Sequence, residues 1–253
     1  MSSEEKKLEG DESPEVEMSF LDHLEELRWR ILYSLIGIAV GTVVAWIFID
    51  IIIDHILLRP AQHADISLQN LRPFGQLFLY FQVAFIVGII LSIPNIFYQL
   101  WLFVSPALRS NEKKYVTAVV GFSTLCFLGG IVFAYFVMLP FTLSFAGKFG
   151  SELIENNFAI DEYFSIIISV MLAAGIVFEL PMMSFFLSRL GLLTPAFMKK
   201  YRRHAIVGIL IAAAILTPGT DPIAQVLLAV PLVLLYEISI FVSKIFQRKS
   251  VSD

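Results

Sequence analysis

The side chains with the most chemical potential in these 253 residues are carboxylates. Glu179 and Glu237 interrupt long apolar runs. Asp22, Glu25 and Glu26 precede the first such run, spaced to share one helix face. Glu112 lies in the short connection that follows Phe103. Separated carboxylates can hold guanidinium groups through bidentate, charge-assisted hydrogen bonds. Phe103, one or two turns from these groups, can stack on the same ligand. A charge at the centre of a bilayer costs at least about 2.5–3.5 kcal/mol, so Glu179 and Glu237 should face a bundle interior or water. Two readings stand for each of them. One is a polar contact for a substrate or partner, or a proton-linked step. The other is a neutral acid hydrogen-bonded to a neighbouring helix.

Other chemistries are missing. There is no Gly-x-x-x-x-Gly-Lys-Ser/Thr run to cradle phosphate and no His-Glu-x-x-His pair for zinc. His23, His55, His63 and His204 fall in separate regions and read as surface histidines, with no metal site expected. Cys126 is the only cysteine, which excludes an intrachain disulfide and a cysteine zinc site. No histidine or lysine lies inside an apolar run to activate an intramembrane serine. The sequence therefore reads as a non-enzyme that needs no cofactor.

The elements that position these carboxylates are membrane helices. The chain is 57% apolar and 16% charged, with mean hydropathy +0.78. A soluble domain is about 45–50% apolar and about 25% charged. Runs long enough to cross about 30 Å of hydrocarbon are Leu32–Ile53, Leu77–Phe103, Tyr115–Leu139 and Tyr163–Leu187. Ile223–Val242 is a further run, broken by Pro231. Ala205–Leu216 is short, about 18 Å as a helix. Lysine and arginine decide whether it crosses. With six crossings, fifteen of the 18 basic residues fall in alternate connections on one side and three on the other. The positive-inside rule puts the fifteen, and both termini, in the cytoplasm.

The expected architecture is thus an all-α membrane protein with six transmembrane helices in a bent bundle. Pro94, Pro140, Pro181 and Pro231 supply the bends. Residues 1–17 carry seven acids and two lysines, which reads as a disordered tail, not a cleaved signal peptide. Residues 18–243 form the membrane domain and 244–253 a cytoplasmic tail. Ser19 is a candidate N-cap with Asp22 three residues on. Phe20, Leu24, Leu27 and Ile31 recur at helical spacing, so Ser19–Arg30 reads as a short amphipathic helix before the first span.

His23-Leu24-Glu25-Glu26-Leu27-Arg28 resembles the amino-terminal motif of the TatC family, the twin-arginine translocase subunit. Tyr98-Gln99-Leu100-Trp101-Leu102-Phe103-Val104-Ser105-Pro106-Ala107-Leu108, followed by Glu112, resembles a second motif. Phe133-Ala134-Tyr135-Phe136, Phe178-Glu179-Leu180-Pro181, and Leu216-Thr217-Pro218 with Asp221 and Gln225 complete the series. The matches run in order from about Phe20 to Lys244, across all six expected spans.

The resemblance implies a multi-pass protein of the cytoplasmic (inner) membrane. It implies export of folded proteins by the proton-motive force, without nucleotide. Glu26 and Glu112, with Phe103, Glu25 and Arg28, become the expected signal-peptide-binding residues. Glu179 matches the family's membrane-embedded glutamate. Thr217, Asp221 and Gln225 match a polar patch where single-span partner subunits dock. Implied partners are twin-arginine signal peptides, those subunits, other copies of the chain and the lipid bilayer, with no nucleic acid. The rival is a proton- or ion-coupled small-solute transporter. Against it stand the absence of a visible inverted repeat and the acidic groups at the cytoplasmic surface.

Overall fold

The computed structural model describes residues 20–64, 66–104, 116–148, 157–189, 191, 193–216 and 222–246. Ser19, Asp65, Glu112, Glu155, Thr217, Gly219 and Asp221, and the tail 1–17, lie outside the described residues.

The chain is mostly helical. Helix α1 spans Phe20–Ile47, so the described part of the Ser19–Arg30 segment continues without a break into the first apolar run. It ends at Ile47, six residues before the apolar run does. The chain then forms a short helical stretch, Ile49–Ile51, a π-turn at Ile52–Leu57 and helix α2, Arg59–His63. Helix α3 spans Gly75–Val104 and contains Pro94. Helix α4, Val116–Phe133, passes through a π-turn at Ala134–Met138 into α5, Leu139–Lys148. The π-turn ends two residues before Pro140, whose nitrogen cannot bond the carbonyl four residues back.

Helix α6, Ile160–Val177, is separated from α7, Leu180–Arg189, by a break at Phe178–Glu179. Pro181 sits in the first turn of α7, where a missing N–H costs little. The last helices are α8, Pro195–Lys200, α9, Arg202–Leu216, and α10, Pro222–Phe246. Thr194 caps α8 by accepting from the Phe197 amide.

Among the described residues, four helical segments are long and apolar enough to cross a membrane: Leu21–Ile47, Gly75–Val104, Thr117–Gly147 and Ile160–Ser188. This is a multi-helix membrane protein, but not a purely helical one. Strand β1, Ser67–Gln69, pairs in parallel with β2, Asn157–Ala159. The mostly helical expectation holds among the described residues, with this one short pairing added to it. Three-residue strands inside long connections leave too little alternation to read in sequence.

Helices α1 and α3 run antiparallel over most of their length. Near the middle, the Ser92 hydroxyl lies 2.7 Å from both Gly37 O and Gly88 O. Toward the start of α1, Asn95 Nδ2 donates to Tyr33 O at 3.1 Å. At the far end, Trp46 stacks on Phe81.

The main core lies at that far end. Ile53, Leu57 and Ala61 from the connection after α1 pack with Leu139, Leu143 and Phe164. Tyr163 threads this core. Its hydroxyl donates to Leu57 O at 2.7 Å and accepts from the Ala61 amide at 3.1 Å. Tyr135 donates to Ile56 O at 2.8 Å. Arg72 Nε meets Asp161 Oδ2 at 3.3 Å. The two far-end connections are thereby tied into one cap.

Candidate functional site

The antiparallel α1–α3 pair brings the beginning of one helix against the end of the other. His23 on α1 stacks on Phe103 on α3, with centroids 4.4 Å apart and planes 15° off parallel. Three residues along α1, Glu26 turns toward the same junction and is half-buried. Its Oε1 accepts from Arg30 Nη2 at 2.8 Å and Nε at 3.3 Å. Arg30 Nη1 reaches Gln99 Oε1 on α3 at 3.4 Å. Glu26 Oε2 is buried without a hydrogen-bond partner, and His23 Nδ1 stands 4.0 Å from it.

Of the expected recognition residues, Glu26 and Phe103 share this junction, with His23 stacked on Phe103 and 4.0 Å from Glu26. Glu25 and Arg28 are on the exposed side of α1. Glu112 lies outside the described residues, as do Thr217 and Asp221. Gln225 is described, and its amide donates to Leu210 O on α9 at 2.9 Å.

Three participants escaped the sequence reading. His23 was expected to be a surface histidine; it keeps part of its surface exposed but also stacks on Phe103, beside Glu26. Arg30 was counted only as a topological charge. Its spacing of four from Glu26 was the available signal. Gln99 stands out as an amide near the end of an apolar run, but only its partner across the helix pair gives it meaning.

Glu179 lies elsewhere, at the break between α6 and α7. Its amide bonds back to Ile176 O at 3.1 Å, and its carbonyl accepts from Met183 at 2.9 Å. The Ser123 hydroxyl and the Phe127 main chain on α4 are its hydrogen-bond neighbours. Oε1 is buried without a partner. Glu237 on α10 meets Arg202 Nε at 2.6 Å, tying α10 to the start of α9. Tyr236 beside it donates to Met198 O on α8 at 2.9 Å. Among the described residues no cluster of three or more His, Cys, Asp or Glu is arranged to hold a metal.

The sequence profile of the Sec-independent protein translocase protein (TatC) family matches residues 22–231. The chain belongs to the TatC family. TatC of Carboxydothermus hydrogenoformans is 35% identical over 235 residues, covering 93% of this chain and 96% of that protein. TatCy of Bacillus subtilis is 36% identical over 92% of each chain. A crystal structure described as the twin arginine translocase receptor TatC superposes with a TM-score of 0.78 at 36% identity. It covers 89% of this chain and is itself covered completely. As a TatC-family protein the chain is a component of Sec-independent protein transport, the Tat pathway, and not an enzyme.

Proposed function

We propose that this chain is the core receptor of a twin-arginine export system. It binds the paired arginines of signal peptides where the start of α1 meets the end of α3. The observation that carries the reading is the junction of Glu26, His23 and Phe103, a carboxylate beside an aromatic stack. A planar guanidinium can bond the carboxylate and lie against the rings. Glu112 supplies the second carboxylate, in the connection that follows α3. Glu25 and Arg28 flank the site on the exposed side of α1.

The receptor nucleates a translocase that moves folded cargo by the proton-motive force. Its membrane is the cytoplasmic (inner) membrane. The fifteen-to-three basic split supports six crossings with both termini in the cytoplasm, α9 and α10 being the last two. Single-span partner subunits dock near Thr217, Asp221 and Gln225, and other copies of the chain join the complex. Membership of the TatC family disfavours the small-solute transporter.

The test is photocrosslinking of a twin-arginine signal peptide in membrane vesicles. A probe at Phe103 should capture the peptide before one in the β1–β2 cap. Glu26→Lys or Glu112→Lys should abolish capture, and a lysine-pair signal should be captured less. Equal capture of the lysine-pair signal would sink the carboxylate site.

A further inference from the structure

We propose that Arg30 is a resident stand-in for the arginine that the junction receives. In the unliganded receptor it occupies Glu26, and an incoming guanidinium binds by displacing it. The proposal rests on the reading of Glu26 as a signal-peptide carboxylate.

The geometry of the internal pair is one-sided. Both N–H groups that Arg30 directs at Glu26, from Nη2 and Nε, converge on Oε1. Oε2 is buried without a partner, and His23 Nδ1 at 4.0 Å is too distant to bond it. Half of the carboxylate's acceptor capacity is therefore unused. An incoming guanidinium can place one N–H on each oxygen, fork to fork, which is the stronger arrangement. It also satisfies a buried acceptor that the internal pair leaves bare.

Arg30 has somewhere to go when displaced. Its Nη1 already lies 3.4 Å from Gln99 Oε1 on α3. Gln99 is held in turn by its amide, 3.5 Å from Asn95 Oδ1. The side chain can give up Glu26 and keep this second acceptor. Side-chain pairs four residues apart on a helix are weak, so exchange is reversible. Between binding events Arg30 neutralises a half-buried carboxylate. It lowers the apparent affinity of every cationic ligand by the fraction of time it occupies Oε1.

The experiment measures dissociation constants of a fluorescent peptide carrying an Arg-Arg pair, with the full chain in lipid nanodiscs. Arg30→Gln should bind about two- to threefold tighter, the size expected for removing one weak helical pair. Arg30→Lys keeps the charge but loses the fork, so it should fall between the variant and the wild type. In a Glu26→Gln background, Arg30→Gln should change nothing. If the tightening persists there, Arg30 acts through its general field and the stand-in is overturned. Unchanged or weaker binding by Arg30→Gln, with Glu26→Gln still impaired, also overturns it, since Arg30 then only orients Glu26. Equal binding by wild type and Glu26→Gln removes the carboxylate reading itself, and the stand-in with it. Should Arg30→Gln fail to assemble in the membrane, Arg30→Lys decides the matter alone: tighter binding supports displacement and unchanged binding refutes it.

Discussion

Gly88 abuts Thr42 so closely that a Cβ on Gly88 would stand 2.5 Å from the Thr42 nitrogen and 2.6 Å from its Cα. A Cβ on Gly41 would stand 2.5 Å from Gly88 O. Small residues at such a crossing let two membrane helices approach backbone to backbone. This contact sets the spacing of α1 and α3, and with it the alignment of His23 over Phe103. Gly88→Val is expected to force the helices apart at about 1–3 kcal/mol, the range for overpacked interiors. Cysteines placed at His23 and Phe103 should then oxidise to a disulfide more slowly than in the Gly88 background. Equal rates would mean that other contacts hold the register.

The far-end cap depends on a second kind of contact. Tyr163→Phe removes a buried hydroxyl and strands both Leu57 O and the Ala61 N–H. Leaving buried groups unpaired costs about 1–3 kcal/mol. Tyr135→Phe removes a bond in more exposed surroundings and should cost about 0.5–1.5 kcal/mol. Thermal unfolding in detergent should rank Tyr163→Phe below Tyr135→Phe, and both below the wild type. The reverse order would show that the Tyr163 clamp is not what fastens the cap.

Those two contacts show where sequence reasoning reaches and where it stops. The apolar runs located α3, α4 and α6 because a run of about 20 apolar residues has few other stable fates. The same rule misplaced the end of the first helix. Ile49, Ile53 and Leu57 are as apolar as any lipid-facing residue, yet they are buried against Leu139 and Phe164 in the cap. Hydropathy measures transfer out of water and does not say into what. At the site, Glu26 and Phe103 were legible as chemistry, a carboxylate and an aromatic ring. His23 between them was not, because stacking depends on how α1 and α3 pair. Arg30 was legible as a charge in the basic count, but its pairing with Glu26 and its reach to Gln99 depend on distances that spacing alone does not give.

Glu179 gives a test that separates function from packing. Its Oε1 is buried without a hydrogen-bond partner, which offsets part of what its packing and its bonds to α4 contribute. If its role is functional, Glu179→Ala is expected to leave the unfolding midpoint near that of the wild type while impairing export. Glu179→Gln keeps the size and a hydrogen-bonding end, and should retain more export if no proton moves. A lower midpoint with normal export would assign Glu179 to helix packing alone.

The proposed topology has a consequence for the bilayer. Helix α9 has 15 residues, about 22 Å at 1.5 Å each, against about 30 Å of hydrocarbon. Helix α1 has 28 residues, about 42 Å, and can span the same bilayer with tilt to spare. A helix as short as α9 is met by thinning the membrane, by snorkelling of its flanking residues, or by association with another helix. Arg202 and Arg203 can snorkel at one end only, since no lysine or arginine lies in residues 217–222 at the other. Thinning should therefore fall at the α9–α10 end, beside Gln225. Reconstituted in bilayers of increasing acyl-chain length, the protein should lose stability steadily. Spin labels near Leu210 should report a shallower hydrocarbon depth than labels midway along α3. Probes at Gln225 should capture a partner span more strongly as the bilayer thickens, because association then relieves more mismatch. Stability independent of chain length, with equal depths at the two positions, would place α9 outside the membrane-crossing set and move the C-terminus to the other side.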